Sequence, residues 1–164
     1  MGEVHRLVEE LRREYDGEPW HGSSTQSILL GITAAQAAAR PLPSAHTIWE
    51  IVLHLTAWTH EVGRRLQGRK PQLPDEGDWP AVASTSEAAW GAAQAALSAA
   101  HAELLSTLQE FSETRLQDAV DGAREVAAGP GVSYYVTLHG LVQHDAYHSG
   151  QIALLKKATS GATT

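Results

Sequence analysis

Two histidines four residues apart, His144 and His148, lie in the stretch Tyr134–Lys157, YYVTLHGLVQHDAYHSGQIALLKK. Residues i and i+4 stack on one helix surface, so imidazoles at that spacing can reach a common point. A helical pair of this kind offers two neutral nitrogen ligands to a divalent ion without any backbone rearrangement. A hydrogen-bonded core histidine is the competing role for His148, with His144 a half-exposed neighbour. At about 100° per residue, Tyr134, Leu138, Leu141, Asp145, His148, Ile152 and Leu155 share one face, with His144 and Gln151 at its edge. The buried phase of His148 and the acid beside His144 favour a metal, and a third ligand must then come from elsewhere in the chain.

The chemistry follows from ligand count. Three protein ligands leave a coordination position open for water or a thiolate, and the metal lowers the pKa of what binds there. The chain has no cysteine, which excludes disulfides, thiolate metal sites and a cysteine nucleophile, so any thiol must be a cosubstrate. Asp145 shares the inward face. It is placed to orient a ligand imidazole or act as a base, or else it is a buried acid bonded to a neighbouring helix. Gln151, one turn beyond His148, is placed to donate to a bound ligand or to bridge helices.

The elements that position these groups read as helices. At 164 residues the chain is expected to form a single domain, residues 1–164, with a sizeable core. Its net charge of −7 argues against a nucleic-acid partner. The charged, amphipathic start has no apolar run suited to a signal peptide or membrane span, so a cytoplasmic protein is expected. Val4, Leu7, Val8 and Leu11 mark a first helix to about Tyr15, ended by Gly17 and Pro19. Ser23 with Gln26 is read as capping a short helix over Thr25–Leu30, and Thr33 with Gln36 as starting another turn. A second main helix is expected from about Ala45 to Gln67, with a stripe at Ile48, Ile51, Val52, Leu55, Thr59, Val62 and Leu66. Residues 68–83 form a long connection. Ser84 with Glu87 reads as a capping box opening a third helix to about Gln109. Phe111–Gly131 is irregular, with a turn near Ser112–Leu116, and Pro130 and Gly131 precede the last helix. Thr159–Thr164 reads as a frayed tail.

No sustained period-2 alternation marks a strand. The four long helical patterns define an all-α chain, a four-helix bundle with long connections. Its two middle connections are long enough to carry crossovers. In the second main helix His54 lies on the flank of the apolar stripe with Trp58, whereas His46 and His60 project to the opposite, solvated side. His54 is therefore the best candidate for the third ligand. His101, on the inner face of the third helix with Trp90, Ala93, Leu97, Leu104 and Leu108, is a rival whose ordinary role is that of a satisfied core residue. Trp20 and Trp79 lie in loops that could cover the bundle mouth. Glu50, one turn before His54, reads as solvated.

His144-Asp145-Ala146-Tyr147-His148 can be set against the zincin motif HExxH, with Asp in place of Glu. Beyond His148 the chain has no further histidine or carboxylate, so the zincin reading lacks its downstream ligand. A ferritin-type di-iron bundle requires a Glu-x-x-His motif on each of two helices, and the single such spacing here, Glu18-Pro19-Trp20-His21, falls after the first helix has ended. The combination of His54 in IWEIVLHLTAW with the later HDAYHSGQI resembles the DinB/YfiT-like superfamily of metalloenzymes, with the early WHGSS and the loop DWP included in the likeness. That resemblance implies a four-helix bundle, often a homodimer, with His54, His144 and His148 holding a divalent ion such as zinc or nickel. It also implies a small-molecule substrate and a low-molecular-weight thiol cosubstrate, because relatives with assigned activities are thiol-dependent transferases and isomerases. The expected function is a metal-dependent S-transferase or hydrolase. A non-enzymatic metal- or ligand-binding bundle of the stress response is the alternative.

Overall fold

The computed structural model describes residues 2–120 and 132–160. Helix α1, Glu3–Tyr15, turns Leu7, Val8, Leu11 and Tyr15 inward and places Arg12 and Arg13 in its last turn, where cations oppose the negative end of the helix dipole. Two five-residue helices follow, α2 (Thr25–Leu29) and α3 (Ala34–Ala38). The long helices α4 (Ile48–Leu66), α5 (Glu87–Gln109) and α6 (Tyr134–Ser160) complete the bundle. A 3-10 turn at Glu113–Arg115 realises the turn expected near Ser112–Leu116. Among the described residues the strand content is nil; Ala119 and Ser133 form only an isolated antiparallel bridge.

The four long helices form a ring in which α1 packs on α5 and α6, and α4 packs on α5 and α6. Thus α1 and α4 face each other across the bundle. The connection through α2 and α3 crosses from one to the other, while the loop between α4 and α5 joins neighbours. Two apolar clusters fill the interior. One centres on Trp49, Trp90, Ile51, Leu55 and Ile152. The other centres on Leu7, Leu11, Leu104, Leu108 and Leu138. Every residue assigned from periodicity to the inner face of the last helix is buried.

Capping chemistry moves several boundaries. Helix α4 begins at Ile48 rather than near Ala45, because Thr47 and Glu50 form a reciprocal capping box: the Thr47 hydroxyl accepts from Glu50 N–H at 3.1 Å, and Glu50 Oε2 accepts from Thr47 N–H at 2.7 Å. Glu50 is therefore engaged at the helix start and also pairs with Arg40 at 2.6 Å. The cap of α2 is Ser24, not Ser23, and its hydroxyl bonds Ser27 in place of the expected Gln26 exchange. The box at Thr33 and Gln36 forms as read. The cap of α5 is Ser86, which accepts from Ala89 N–H, and Glu87 instead accepts from Ala34 N–H at 2.9 Å, tying α5 to α3. Helix α6 opens on Ser133, whose hydroxyl accepts from Val136 N–H, and runs through Thr159 and Ser160, which belong to its last turn and not to a frayed tail. The expectations for Pro130, Gly131 and residues 161–164 lie outside the described residues. No helix among the described residues is long and apolar enough to cross a membrane.

Gly91 lies exposed within α5, and a Cβ built on it meets nothing within 4 Å. Alanine there loses less backbone entropy on folding. Gly91→Ala is expected to raise stability by about 0.5–1 kcal/mol, read from the urea midpoint at unchanged m-value.

Candidate metal centre

His54 from α4 and His144 and His148 from α6 meet in the bundle, each offering a ring nitrogen, with the three nitrogens within 4.8 Å of one another. His54 and His148 are buried and His144 half-buried. Ridge packing of α4 on α6 brings the single histidine on one helix opposite the i, i+4 pair on the other, across 90 residues of sequence.

Each imidazole is fixed by its Nδ1. His54 Nδ1–H donates to the Asp78 carbonyl at 2.6 Å, and the Asp78 carboxylate accepts from Trp58 Nε1–H at 2.8 Å. His148 Nδ1–H donates to Gln151 Oε1 at 2.9 Å. His144 Nδ1–H faces Asp145 Oδ1 at 3.3 Å. A neutral imidazole carries one N–H, so Nδ1 donation leaves each Nε2 with a lone pair free to bind an ion. His54 Nε2 and His144 Nε2 lie 2.9 Å apart. Two lone pairs at that separation repel unless a proton or a cation lies between them. Burial lowers the pKa of all three rings, to about 4 for His148, and nearby histidines add to the effect at His54 and His148. The neutral form that binds a metal is thus the one the site favours near neutral pH, and the donor set fits a divalent ion held by nitrogen.

The loop between α4 and α5 supplies part of this order. Arg64 pairs with Glu76 at 2.9 Å, Arg69 with Asp75, and buried Glu61 bonds both Arg65 Nε at 3.0 Å and Gln72 N–H. Gly77 turns the chain at a φ of +88°, a conformation glycine adopts without a Cβ penalty. Asp78 and Trp79 then fall on the site. The Trp79 indole stacks on His54 at 3.9 Å, and His46 stacks on Trp79 at 3.5 Å. Trp79 does cover this end of the bundle, whereas Trp20 is fully exposed elsewhere. His46 is a member of that stack as well as a partner of Glu50, and His60 bonds Glu76, so neither is merely solvated.

His101 lies apart from the cluster. It is buried, stacks on Tyr15 at 4.2 Å, and has no hydrogen-bond partner for Nε2 among the described residues. Its role is the core one. Asp145 and Gln151 both touch ligand imidazoles, so the roles visible for them are those of positioning residues. Asp145 is buried, and burial pushes its carboxyl up to about 8. Across from it, burial and then the Asp145 charge push Glu14 of α1 up to about 7, although Thr25 and Ser149 hydroxyls donate to Glu14 at 2.6 and 3.0 Å. Sequence reasoning missed Asp78 and Glu14. The acid-Trp pair ahead of Pro80 was a usable signal for Asp78. Nothing local distinguished Glu14 from its acidic neighbours on α1.

Gln151→Ala frees the His148 ring to rotate and removes the acceptor that fixes its tautomer. Metal affinity is expected to fall by about 10–100-fold with the fold retained, measured by competition with a chromophoric chelator.

A groove of about 400 Å³ opens on the cluster between α4 and α6. His54 and His144 stand at one end and Arg65 at the other, with Trp58, Val62 and Leu141 between them. Asp145 and Gln151 do not line it.

Fold and site together define a four-helix bundle with a three-histidine cluster suited to a divalent ion. The chain belongs to the DinB superfamily, whose sequence pattern matches residues 8–152. It is similar in fold to a conserved protein of Enterococcus faecalis known from a crystal structure, at 22% identity and a TM-score of 0.73, over 98% of this chain and 99% of that one. No curated protein matches the chain.

Proposed function

We propose that the protein is a divalent-metal-dependent enzyme, with His54, His144 and His148 as ligands and zinc or nickel as the ion. The reaction class is a thiol-dependent S-transfer or a hydrolysis on a small-molecule substrate. The observation that carries this reading is the convergence of a ring nitrogen from each of three histidines, with each ring oriented by a separate Nδ1 partner. A bound ion would supply Lewis acidity, lowering the pKa of a water or a low-molecular-weight thiol at the position the histidines leave free. The chain's own residues do the rest. Asp78, Asp145 and Gln151 orient the rings, Trp79 shields the outer face of His54, and the groove beside His54 and His144 gives a second molecule access.

That groove favours an enzyme or ligand-handling site over a purely structural ion, which would be closed on all sides. A homodimer in the cytoplasm remains part of the proposal, and sedimentation of the metal-loaded protein tests the dimer. Protein purified without a metal-affinity tag should carry near-stoichiometric metal, by elemental analysis, that is lost in His54→Ala. It should also consume a small thiol in the presence of an electrophile, and stop when chelated. Absence of metal after incubation with zinc or nickel overturns the reading. Metal without any thiol or ester turnover leaves a binding protein and overturns the enzyme.

A further inference from the structure

The groove beside the histidines has an uneven chemistry. Its walls are apolar along three turns of α4 and the facing stretch of α6, through Trp58, Val62, Val136 and Leu141. Val132 and Val136 are exposed at its rim. Polar groups are confined to the ends, apart from Thr137. At one end are His54, His144 and Asp78; at the other is Arg65. The Trp58 ring joins them, with its centroid 5.6 Å from the Arg65 guanidinium carbon and 6.4 Å from the His144 ring.

Arg65 is held before any ligand arrives. Its Nε–H donates to Glu61 at 3.0 Å and its Nη2–H to the Gln72 carbonyl at 3.0 Å. Nη1 has no acceptor among the described residues. A guanidinium fixed at two nitrogens, stacked near an indole and with donors to spare, is prepared for one more acceptor at low entropic cost. The Glu61 carboxylate offsets part of its charge, which suits a singly charged acid better than a multiply charged phosphate.

Resting on the metal-centre reading above, we propose that this groove binds a small, mainly apolar carboxylic acid. Its carboxylate meets Arg65, its hydrocarbon body lies along Trp58, Val62 and Leu141, and its far end presents the reacting group at the His54–His144–His148 centre. Substrate selection then comes from length and from a single negative charge, in keeping with a pocket whose few polar groups fix orientation.

The test uses the cobalt-loaded protein and a series of ω-mercaptoalkanoates of increasing length, each paired with its neutral ω-mercaptoalcohol. Thiolate binding is read from the cobalt–sulfur charge-transfer band. The expected result is an affinity maximum at an intermediate length, where the acid binds about tenfold or more tightly than the alcohol. That advantage disappears in Glu61→Gln/Arg65→Gln, which removes both charges so that no buried carboxylate is left alone. Gly140→Leu, whose side chain enters open groove space because a Cβ there meets nothing within 4 Å, should abolish the length dependence while cobalt content stays constant. Equal binding of acids and alcohols, or an acid advantage that survives the double substitution, overturns the groove assignment and leaves the metal centre standing. Absence of cobalt or of any sulfur band with the shortest thiols overturns the metal-centre reading, and this one with it.

Discussion

His148→Ala is expected to bring bound metal from near stoichiometry to background, a loss as large as that expected of His54→Ala. His148 is buried at 6% exposure, and its Nδ1 is already committed to Gln151, so only Nε2 is left for an ion. Removing it leaves His54 and His144, a two-nitrogen pair that cannot compete with ordinary chelators. The fold should survive, because burial lowers the pKa of the lost ring to about 4, so it forms no ion pair that another buried charge depends on. Elemental analysis, with helicity by circular dichroism as the control, reads the outcome. Unchanged metal in His148→Ala would remove the three-histidine centre from consideration.

The second large effect is a loss of stability with rising pH in the metal-free protein. Glu14 and Asp145 have folded pKa values raised to about 7 and about 8 from 4.5 and 3.8. A raised folded pKa means the native state holds a proton that the unfolded chain has released, so the stabilisation is complete below about pH 4 and is lost as pH climbs through 7 to 8. His101 and His148 work in the opposite sense. Their folded values of about 4 lie below the ordinary 6.5, so their contribution is present above pH 6.5 and is lost as pH falls towards 4. The two pairs offset each other between about pH 4 and 6.5, and above that the carboxyls prevail. Urea unfolding of the metal-free protein at pH 6.5 and 8 should therefore show lower stability at the higher pH. Glu14→Gln keeps an oxygen acceptor for Thr25 and Ser149 but cannot ionise. It should flatten the fall by up to about 1.4 kcal/mol per pH unit, the worth of one proton. An equally steep fall in Glu14→Gln would show that Glu14 releases no proton in the folded state over this range.

The sequence made the final helix legible in detail because its inner face repeats faithfully over seven apolar or polar positions, and each of those positions is buried. His54 was legible for the same reason, since one phase relation placed it beside the α6 pair. Helix starts were less so. Several Ser and Thr residues stand close together before α2 and α5, and each offers a plausible cap; which one wins depends on side-chain partners such as Ala34 N–H for Glu87 that lie 53 residues away. The ordering of the site was least visible. Asp78 reaches His54 only because Arg64, Arg65 and Arg69 fasten a loop rich in proline to α4, and the spacing of those charges carries no periodic signature. The electrostatic influence of buried Asp145 on buried Glu14 arises where α1 meets α6, a proximity that neither helix announces alone.

The division of the candidate ligands between α4 and α6 carries a consequence for how the protein meets its ion. An unfolded chain can offer His144 and His148 together but has His54 90 residues distant, so closing that loop adds an entropic cost the folded bundle has already met. On the proposed metal-centre reading, metal capture would be a late event that follows assembly of the bundle, unlike that of a zinc finger, whose fold waits on its ion. By mass action a bound ion would then act as a ratchet, binding the native state far better than the open chain and withdrawing molecules from the unfolding equilibrium. In a metal-poor setting the same protein would then persist as a folded but less durable species. Its lifetime against proteolysis would rise and fall with the supply of free ion.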